Sequence, residues 1–117
     1  MSEAVQKKTV SVIIPALNEE AAIGAVLERL CRAARQVESD YPVEKVEILV
    51  VDDDSSDCTA EVAAAVEGVE VLGLEKNRGY GGALKAGFEK ARGEWLVFLD
   101  ADGTYPPEFL ADLVKAM

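Results

Sequence analysis

The feature of this sequence that most constrains its fold is an alternation of short apolar runs with helical patterns. From Thr9 onward, each of four runs rich in β-branched or aromatic residues is followed by a segment with helical character. The runs span 10–14, 46–51, 69–74 and 95–99. Short continuous apolar runs are typical of strands that are covered on both faces of a parallel sheet. The alternation predicts an α/β fold with an open, mostly parallel, doubly wound sheet of four strands alternating with four helices.

Helical periodicity and turn residues define the four helices. They are expected over 21–37, 59–66, 80–92 and 106–117. We expect Gly93 to end the third helix in the C′ position, where left-handed backbone is favoured. Pro106 and Pro107 open the fourth helix, because proline is tolerated in the first helical turn.

Composition narrows the chemistry. The chain has 117 residues, so we expect one domain over 9–117 after a flexible lead-in over 1–8. The chain contains no histidine, which excludes triads with an imidazole base and zinc sites with histidine ligands. Its formal net charge is −10, whereas nucleic acids are bound through surplus Lys and Arg. No nucleic-acid partner is therefore expected.

Cysteine usage and hydropathy bear on the compartment. Cys31 and Cys58 form no CxxC pair, so we expect neither a disulfide scaffold nor a thiolate metal site. No apolar run approaches the roughly 18–20 residues of a membrane span. The first eight residues also lack the apolar core of a signal peptide. These features predict no transmembrane segment and a cytoplasmic location, at the cytoplasmic face of a membrane if the chain is part of a longer enzyme.

The loops that follow the strands are the expected place for a site. In open α/β sheets, ligands bind beyond the carboxyl ends of the strands. The four loops span 15–20, 52–57, 75–79 and 100–105.

The loop after the fourth run carries Asp100 and Asp102. Two carboxylates at positions i and i+2 of an extended segment point the same way, so both can reach one hard cation. Mg²⁺ and Mn²⁺ prefer oxygen ligands, and Mg²⁺ is typically held by one or two carboxylates together with substrate phosphates. The spacing predicts a Mg²⁺ or Mn²⁺ site for a diphosphate. A solvated acidic loop is the alternative.

The loop after the second run begins with three consecutive aspartates. A carboxylate in a cleft can accept hydrogen bonds from a base N–H, so Asp52 and Asp53 are candidates for nucleoside recognition. For the later half of this loop we favour a structural role. Ser56 or Asp57 is expected to cap the helix that begins near Thr59.

Two interpretations stay open for the loop after the first run. Asn18 is a plausible N-cap, and Glu19 and Glu20 favour the first turn of a helix. Alternatively, Pro15 and Ala16 line a flat nucleoside slot that Glu19 faces.

The glycine-rich stretch 77–87 is neither a Walker A loop nor a dinucleotide fingerprint. Small residues let a helix approach a sheet closely, and helix N-termini bind phosphates. Of these two roles we favour close packing. Arg78 is a candidate diphosphate contact, with a solvent-facing charge as the alternative.

Together, the four loops resemble the family 2 glycosyltransferases, which have the GT-A fold. The matching segments are 10–20, 51–59, 77–79 with 81–83, and 100–108. Within the family, the chain is most similar to the dolichol- and polyprenyl-phosphate sugar transferases, whose metal motif often continues into a Pro-Pro-Glu helix start. The resemblance implies the Rossmann-like N-terminal half of a GT-A fold.

The resemblance also implies roles by position. It implies a nucleoside pocket lined by Pro15, Leu17, Glu19, Val51 and Asp53. Asp53 would hydrogen-bond the base, Asp100 and Ala101 would contact ribose and diphosphate, and Asp102 would ligate the metal directly. Asp54 stands where the family usually has glycine, and aspartate tolerates turn geometries better than most residues.

Enzymes of this family transfer a sugar from a nucleoside diphosphate, here a UDP or GDP sugar, to an acceptor with inversion. The resemblance makes a lipid phosphate a possible acceptor and places the catalytic base beyond Met117, so we expect the donor-binding part of a transferase. One alternative is a nucleotidyltransferase, which would carry a basic glycine-rich loop where this chain has the acidic segment 15–20. A non-catalytic or truncated nucleotide-binding module is the other.

Overall fold

The computed structural model describes residues 8–116, in which strands and helices alternate. The strands are β1 (Lys8–Ala16), β2 (Val43–Asp52), β3 (Val69–Gly73) and β4 (Trp95–Phe98). The helices are α1 (Glu20–Asp40), α2 (Thr59–Ala64), α3 (Gly79–Lys90) and α4 (Leu110–Lys115). Residues 1–7 of the expected lead-in lie outside the described part, and β1 begins at Lys8.

The first strand of the chain lies in the interior of the sheet. The strand order is β3-β2-β1-β4, and every pairing is parallel. The chain therefore builds outward from β1 to β3 and crosses back through α3 to add β4 on the other side. The predicted parallel α/β sheet is confirmed. The order of the strands reverses at β1, with β2 on one side of it and β4 on the other. Open α/β sheets bind ligands at such a topological switch point, beyond the carboxyl ends of the strands.

The sheet buries both of its faces against helices. On one face, Val12 and Ile14 belong to the larger core cluster, which includes residues of α1, α2 and α4. On the other face, Ile13 and Val51 pack with Ala83 of α3. Successive side chains of a strand point to opposite faces, so a strand covered on both sides is apolar throughout. This explains the continuous apolar runs of β1 and β2. The expectation of cover on both faces is wrong for β4, an edge strand whose Trp95, Leu96 and Phe98 are exposed.

Helix α1 continues three residues past its predicted end at Val37. Val37 is the last buried apolar residue of the helix, and the prediction ended there. The helical hydrogen bonds continue further, since the Tyr41 N–H donates to the Val37 carbonyl at 3.0 Å. Pro42 then stops the helix, because the residue before a proline is disfavoured in helical backbone. Tyr41 is accordingly extended.

Gly93 does not end α3 as predicted. The helix ends at Lys90, and Gly93 is not among the described residues with left-handed backbone. Its N–H donates to the Ser11 hydroxyl at 2.8 Å, and a Cβ at this position would lie 2.7 Å from the Ser11 backbone nitrogen. Gly93 is needed because the chain passes close to β1 there.

The other helices are shorter than predicted. Helix α2 ends at Ala64 rather than at residue 66. The predicted helix over 106–117 begins as a 3-10 turn at Pro107–Phe109 and becomes α-helical at Leu110; Met117 lies outside the described residues. None of the helices within 8–116 has the length and apolar character to cross a membrane.

Candidate functional site

A cavity of about 350 Å³, here called the strand-end cavity, opens at the carboxyl ends of β1, β2 and β4. It is lined by Pro15, Ala16, Leu17, Glu19, Asp53, Gly79, Tyr80, Ala83, Asp100, Ala101 and Asp102. Eight of the nine residues predicted to bind a nucleotide sugar therefore lie around one space. They come from three separate loops, which the parallel strands bring to a common edge.

Val51 is the predicted pocket residue that does not line this cavity. Its side chain is fully buried and belongs to the core cluster under α3. A Cβ at Gly87 would lie 3.0 Å from its Cγ2 atom, so α3 covers Val51 closely. The prediction for Val51 as a lining residue is wrong, because the side chain faces the helix rather than the strand end. Asp52 is also buried and absent from the lining.

The Asp53 carboxylate binds the start of α3. Its Oδ1 atom accepts the Arg78 N–H at 2.7 Å, and its Oδ2 atom accepts the Gly79 N–H at 3.0 Å. The side chain is buried at the edge of the cavity. The first N–H groups of a helix have no partner within the helix, and a carboxylate both satisfies them and complements the helix dipole. Asp53 thus joins the loop after β2 to α3.

The loops after β1 and β2 are joined by direct hydrogen bonds. The Asn18 N–H donates to the Ser55 hydroxyl at 2.9 Å, and the Asn18 amide oxygen accepts the Ser56 N–H at 2.9 Å. The Glu19 N–H donates to the Thr59 hydroxyl at 2.9 Å. Asn18 has a φ of 54° and does not cap α1, so that prediction is wrong. Its side chain instead ties the two loops together.

The second loop supplies a hydrogen bond at the start of α2 and contains one left-handed aspartate. The N-cap residue of α2 is Cys58, but Asp57, one position before it, accepts the Thr59 N–H at 3.0 Å and so supplies a hydrogen bond at the helix start, as predicted for Ser56 or Asp57. Asp54 has a φ of 58°, a conformation that favours glycine and that aspartate tolerates better than most residues. The positive φ explains why glycine is the residue that the resemblance leads one to expect at position 54.

The two aspartates after β4 have different surroundings. The Asp100 Oδ1 atom accepts the Tyr80 hydroxyl at 3.1 Å, and its side chain is partly buried. Asp102 is exposed, and its Oδ1 atom accepts the hydroxyl and the N–H of Thr104. These hydrogen bonds, the hydroxyl first, lower the pKa of Asp102 and keep it ionised. Each aspartate retains an oxygen that accepts no hydrogen bond within residues 8–116.

The donor set of this cavity fits a hard divalent cation that a ligand helps to bind. No group of three or more acidic or thiol side chains is assembled as a metal site within 8–116. Mg²⁺ sites commonly need only one or two carboxylates, because water and substrate phosphates complete the coordination. Asp100 and Asp102 both line the cavity, and each has one carboxylate oxygen that accepts no hydrogen bond within 8–116. Phosphate oxygens entering the cavity would supply the remaining ligands.

Helix α3 contributes the lining residues that sequence reasoning did not single out. Gly79, Tyr80 and Ala83 line the cavity. Gly79 and Ala83 lie in segments that carry the resemblance, but none of the three is among the predicted site residues. A large aromatic residue among glycines at a helix start was the available signal. Arg78 is exposed and absent from the lining, and its backbone N–H binds Asp53.

A second cavity of about 350 Å³, the aromatic cavity, shares Tyr80 and Asp100 with the first. It is lined by Tyr80, Phe98, Leu99, Asp100, Tyr105, Phe109, Asp112 and Leu113. Tyr80 therefore lines both the cavity that contains four acidic residues and a second cavity that is more apolar. Burial first, and then the bond and charge of Asp100, raise the pKa of the Tyr80 hydroxyl, so it remains a hydrogen-bond donor.

Comparison with known proteins identifies the family. The model of the family described as "Glycosyl transferase family 2" matches residues 11–117. The chain belongs to glycosyl transferase family 2. The resemblance drawn from the four loops is thereby confirmed.

The curated relatives of this family 2 chain include lipid-phosphate sugar transferases. It is 44% identical over 114 residues to the undecaprenyl-phosphate 4-deoxy-4-formamido-L-arabinose transferase of Aeromonas hydrophila. The alignment covers 93% of this chain and 33% of that protein. Identity to the protein of the same name from Proteus mirabilis is 42% over 110 residues, covering 90% of this chain and 32% of the relative. The family 2 chain spans about a third of the length of these relatives.

Solved glycosyltransferase structures share the fold. A mannosyltransferase from Pyrobaculum calidifontis, in complex with GDP-Man and Mn²⁺, is similar with a TM-score of 0.76 and 31% identity. The match covers 93% of the family 2 chain and 32% of that one. Glucosyl-3-phosphoglycerate synthase from Mycobacterium tuberculosis, in complex with Mn²⁺, UDP and glucosyl-3-phosphoglycerate, gives a TM-score of 0.71 and 32% identity. The match covers 92% of this chain and 39% of that one. The four-stranded sheet is that of a GT-A glycosyltransferase.

Proposed function

We propose that this chain binds a nucleoside diphosphate sugar together with Mg²⁺ or Mn²⁺, as the donor-binding part of an inverting, metal-dependent glycosyltransferase. The observation that carries the proposal is the strand-end cavity, in which the loops after β1, β2 and β4 meet beside two aspartates with free oxygens. Membership of glycosyl transferase family 2 supports the reaction class. The nucleotide-sugar-binding part would extend over residues 9–117.

Each side of the cavity would bind a different part of the donor. Pro15, Ala16, Leu17 and Glu19 would line the nucleoside side. Each Asp53 oxygen accepts one backbone N–H and keeps a second lone pair for a base N–H. The base would therefore be recognised by a carboxylate that α3 already holds in place.

The other side of the cavity would bind the diphosphate. Asp100 and Ala101 would contact ribose and diphosphate, with Asp102 as a direct metal ligand and Asp100 as a further one. A divalent cation there supplies Lewis-acid stabilisation of the charge that develops on the departing diphosphate. In the transfer, an acceptor oxygen forms a bond to the anomeric carbon as the bond from that carbon to the diphosphate oxygen breaks. We assign the general base of this step to no residue of 8–116.

A lipid phosphate is the acceptor class that we propose. The curated relatives named above are undecaprenyl-phosphate sugar transferases. An enzyme with such an acceptor would work at a membrane face, in line with the cytoplasmic-face location expected from the sequence. UDP and GDP sugars are the donors that we propose, since both nucleotides occur in the similar structures.

Isothermal titration calorimetry tests the proposal. We expect UDP or GDP to bind the chain and the affinity to rise when Mn²⁺ is present. Asp102→Ala should lower this Mn²⁺-dependent increase in affinity at least about tenfold. Even the loss of a residue that only hydrogen-bonds a metal ligand changes metal affinity about 10–100-fold.

The matched control removes one negative charge elsewhere. Glu28→Ala, at an exposed position of α1, should bind nucleotide and Mn²⁺ like the wild type. The proposal is wrong if the wild type binds neither nucleotide, or if Asp102→Ala keeps the full gain from Mn²⁺. Transfer from UDP and GDP sugars to a polyprenyl phosphate, assayed with this chain and with a longer one, then distinguishes a transferase from a nucleotide-binding module.

A further inference from the structure

Tyr80 occupies a position that the proposed function leaves without a role. Its ring lines both the strand-end cavity and the aromatic cavity, and its hydroxyl donates to Asp100 Oδ1 at 3.1 Å. The side chain is 52% exposed, so packing alone does not account for its orientation. Within 8–116, Asp100 is the side chain that this hydroxyl binds.

Asp53, which lines the strand-end cavity, also fixes the backbone just before Tyr80. Asp53 accepts the N–H groups of Arg78 and Gly79, the two residues that precede Tyr80. Gly79 has a φ of 78°, which favours glycine and sets the direction in which α3 begins. The backbone before Tyr80 is therefore tied to the end of β2, and the Tyr80 hydroxyl binds Asp100 in the loop after β4.

We propose that Tyr80 is a positioning residue for the diphosphate and metal side of the cavity, acting through Asp100. This inference rests on the proposed function. By binding Oδ1, the hydroxyl holds the Asp100 carboxylate so that Oδ2 is the oxygen presented to the ligand. A carboxylate held in one orientation loses less conformational freedom when a cation and a diphosphate bind. The ring also separates the polar ligand from the apolar space lined by Phe98 and Phe109.

Tyr80→Phe removes the hydroxyl and leaves the ring between the two cavities. We measure UDP and GDP affinity by calorimetry with and without Mn²⁺, and define the metal gain as the ratio of the two affinities. The metal gain should fall by about 3- to 10-fold in Tyr80→Phe, the scale of one hydrogen bond to a charged group at a partly exposed site. The affinity without Mn²⁺ should stay close to that of the wild type.

Tyr105→Phe is the matched control. Tyr105 also lines the aromatic cavity, is similarly exposed at 57%, and has no hydroxyl hydrogen bond to another residue of the described part. It should keep the wild-type metal gain. Thermal unfolding of both variants without ligand should match the wild type, since both side chains are exposed.

The outcomes separate the two hypotheses. If the wild type binds nucleotide with a metal gain and Tyr80→Phe keeps that gain, the role of Tyr80 is wrong and the proposed function stands. Equal loss of affinity with and without Mn²⁺ also overturns it, because that result indicates a general change of the cavity. If the wild type binds no nucleotide, the proposed function fails and the inference fails with it.

Discussion

Two polar residues in the loops after β1 and β2 have a backbone conformation that restricts which residue types can stand there. Asn18 and Asp54 are the non-glycine residues of 8–116 with positive φ, and they lie in the two loops that meet beside the cavity. Asn and Asp adopt this conformation more readily than other side chains. Some of the polar residues that suggested ligand binding are therefore needed for the backbone conformation of these loops. Asn18 is the clearest case, since its amide joins two loops.

Gly87 is a residue at which close packing can be tested. A Cβ there would lie 2.4 Å from Ile13 Cγ2 and 3.0 Å from Val51 Cγ2, all within the buried core under α3. We expect Gly87→Ala to lower the free energy of unfolding by about 1–3 kcal/mol, the usual cost of overpacking a core. Urea denaturation monitored by circular dichroism measures this change.

The control for this substitution lies on the same helix. A Cβ at Gly81 meets nothing within 4 Å, so Gly81→Ala should raise stability by about 0.5–1 kcal/mol through helix propensity. Equal effects of the two substitutions would contradict the packing role of Gly87. The sequence therefore predicts that glycines of this stretch serve close packing, but it does not identify Gly87 as the one that does. Which glycine packs closely depends on which strand residues face the helix.

At the scale of elements, the start of α3 is decided by a residue far from it in sequence. Helix α3 begins without a side-chain cap from its own N-cap residue, Arg78. Asp53 supplies that cap from the end of β2, 25 residues earlier. A sequence pattern identifies caps within a few residues of a helix, so this one could not be found. The lengths of α1 and α2 differ from prediction for a related reason, because the apolar stripe and the hydrogen-bonded helix end at different residues.

Asp53→Asn tests the capping role without ligand. The amide keeps one acceptor oxygen, whereas its NH₂ group cannot accept the second N–H, and the negative charge at the helix start is lost. We expect a loss of about 1–2 kcal/mol in unfolding free energy, in the range of other lost caps. Chemical denaturation measures the loss, with Asp54→Asn as the neighbouring control that should change stability little. Equal stability of Asp53→Asn and the wild type would argue against the cap.

At the scale of the whole molecule, acidic side chains lie both at the strand-end cavity and along the strands of the sheet. Asp53, Asp100 and Asp102 surround the strand-end cavity. Elsewhere on the sheet, Glu47 accepts the Ser11 hydroxyl at 2.8 Å and pairs with Arg92 at 2.9 Å, joining β1 and β2 to the segment after α3. The acidic excess of the sequence therefore includes one site suited to a cation and one that is already paired within the protein.

The ion pair between Glu47 and Arg92 makes the stability of the fold depend on pH. Burial alone raises the pKa of Glu47, but the Arg92 N–H, the Ser11 hydroxyl and the Arg92 charge outweigh it and hold the pKa below its ordinary value. A carboxyl with a lowered folded-state pKa stabilises the fold fully above its unfolded pKa, near 4.3, and loses that contribution as pH falls through the folded value. We expect the urea midpoint to fall as pH is lowered from about 5 to 3, and Glu47→Gln to show a smaller fall.

Glu44→Gln is the control for this pH series. Glu44 is exposed on the same strand, and its side chain has no ion pair among the described residues. This variant should follow the wild-type profile. Parallel profiles of Glu47→Gln and the wild type would show that Glu47 does not contribute to the acid sensitivity.

The sequence by itself determined the element types, the parallel α/β class and the loops that carry the cavity residues. Periodicity and propensity are local properties, so strands such as β1 and the aspartates that follow β4 were identifiable without a structure. Only the tertiary structure decided that Val51 faces α3, that Asp53 holds the start of that helix, and that Tyr80 reaches Asp100. These contacts join residues 20 to 36 positions apart and depend on the strand order β3-β2-β1-β4. Side-chain packing and backbone hydrogen bonding select that order, and no single segment encodes them.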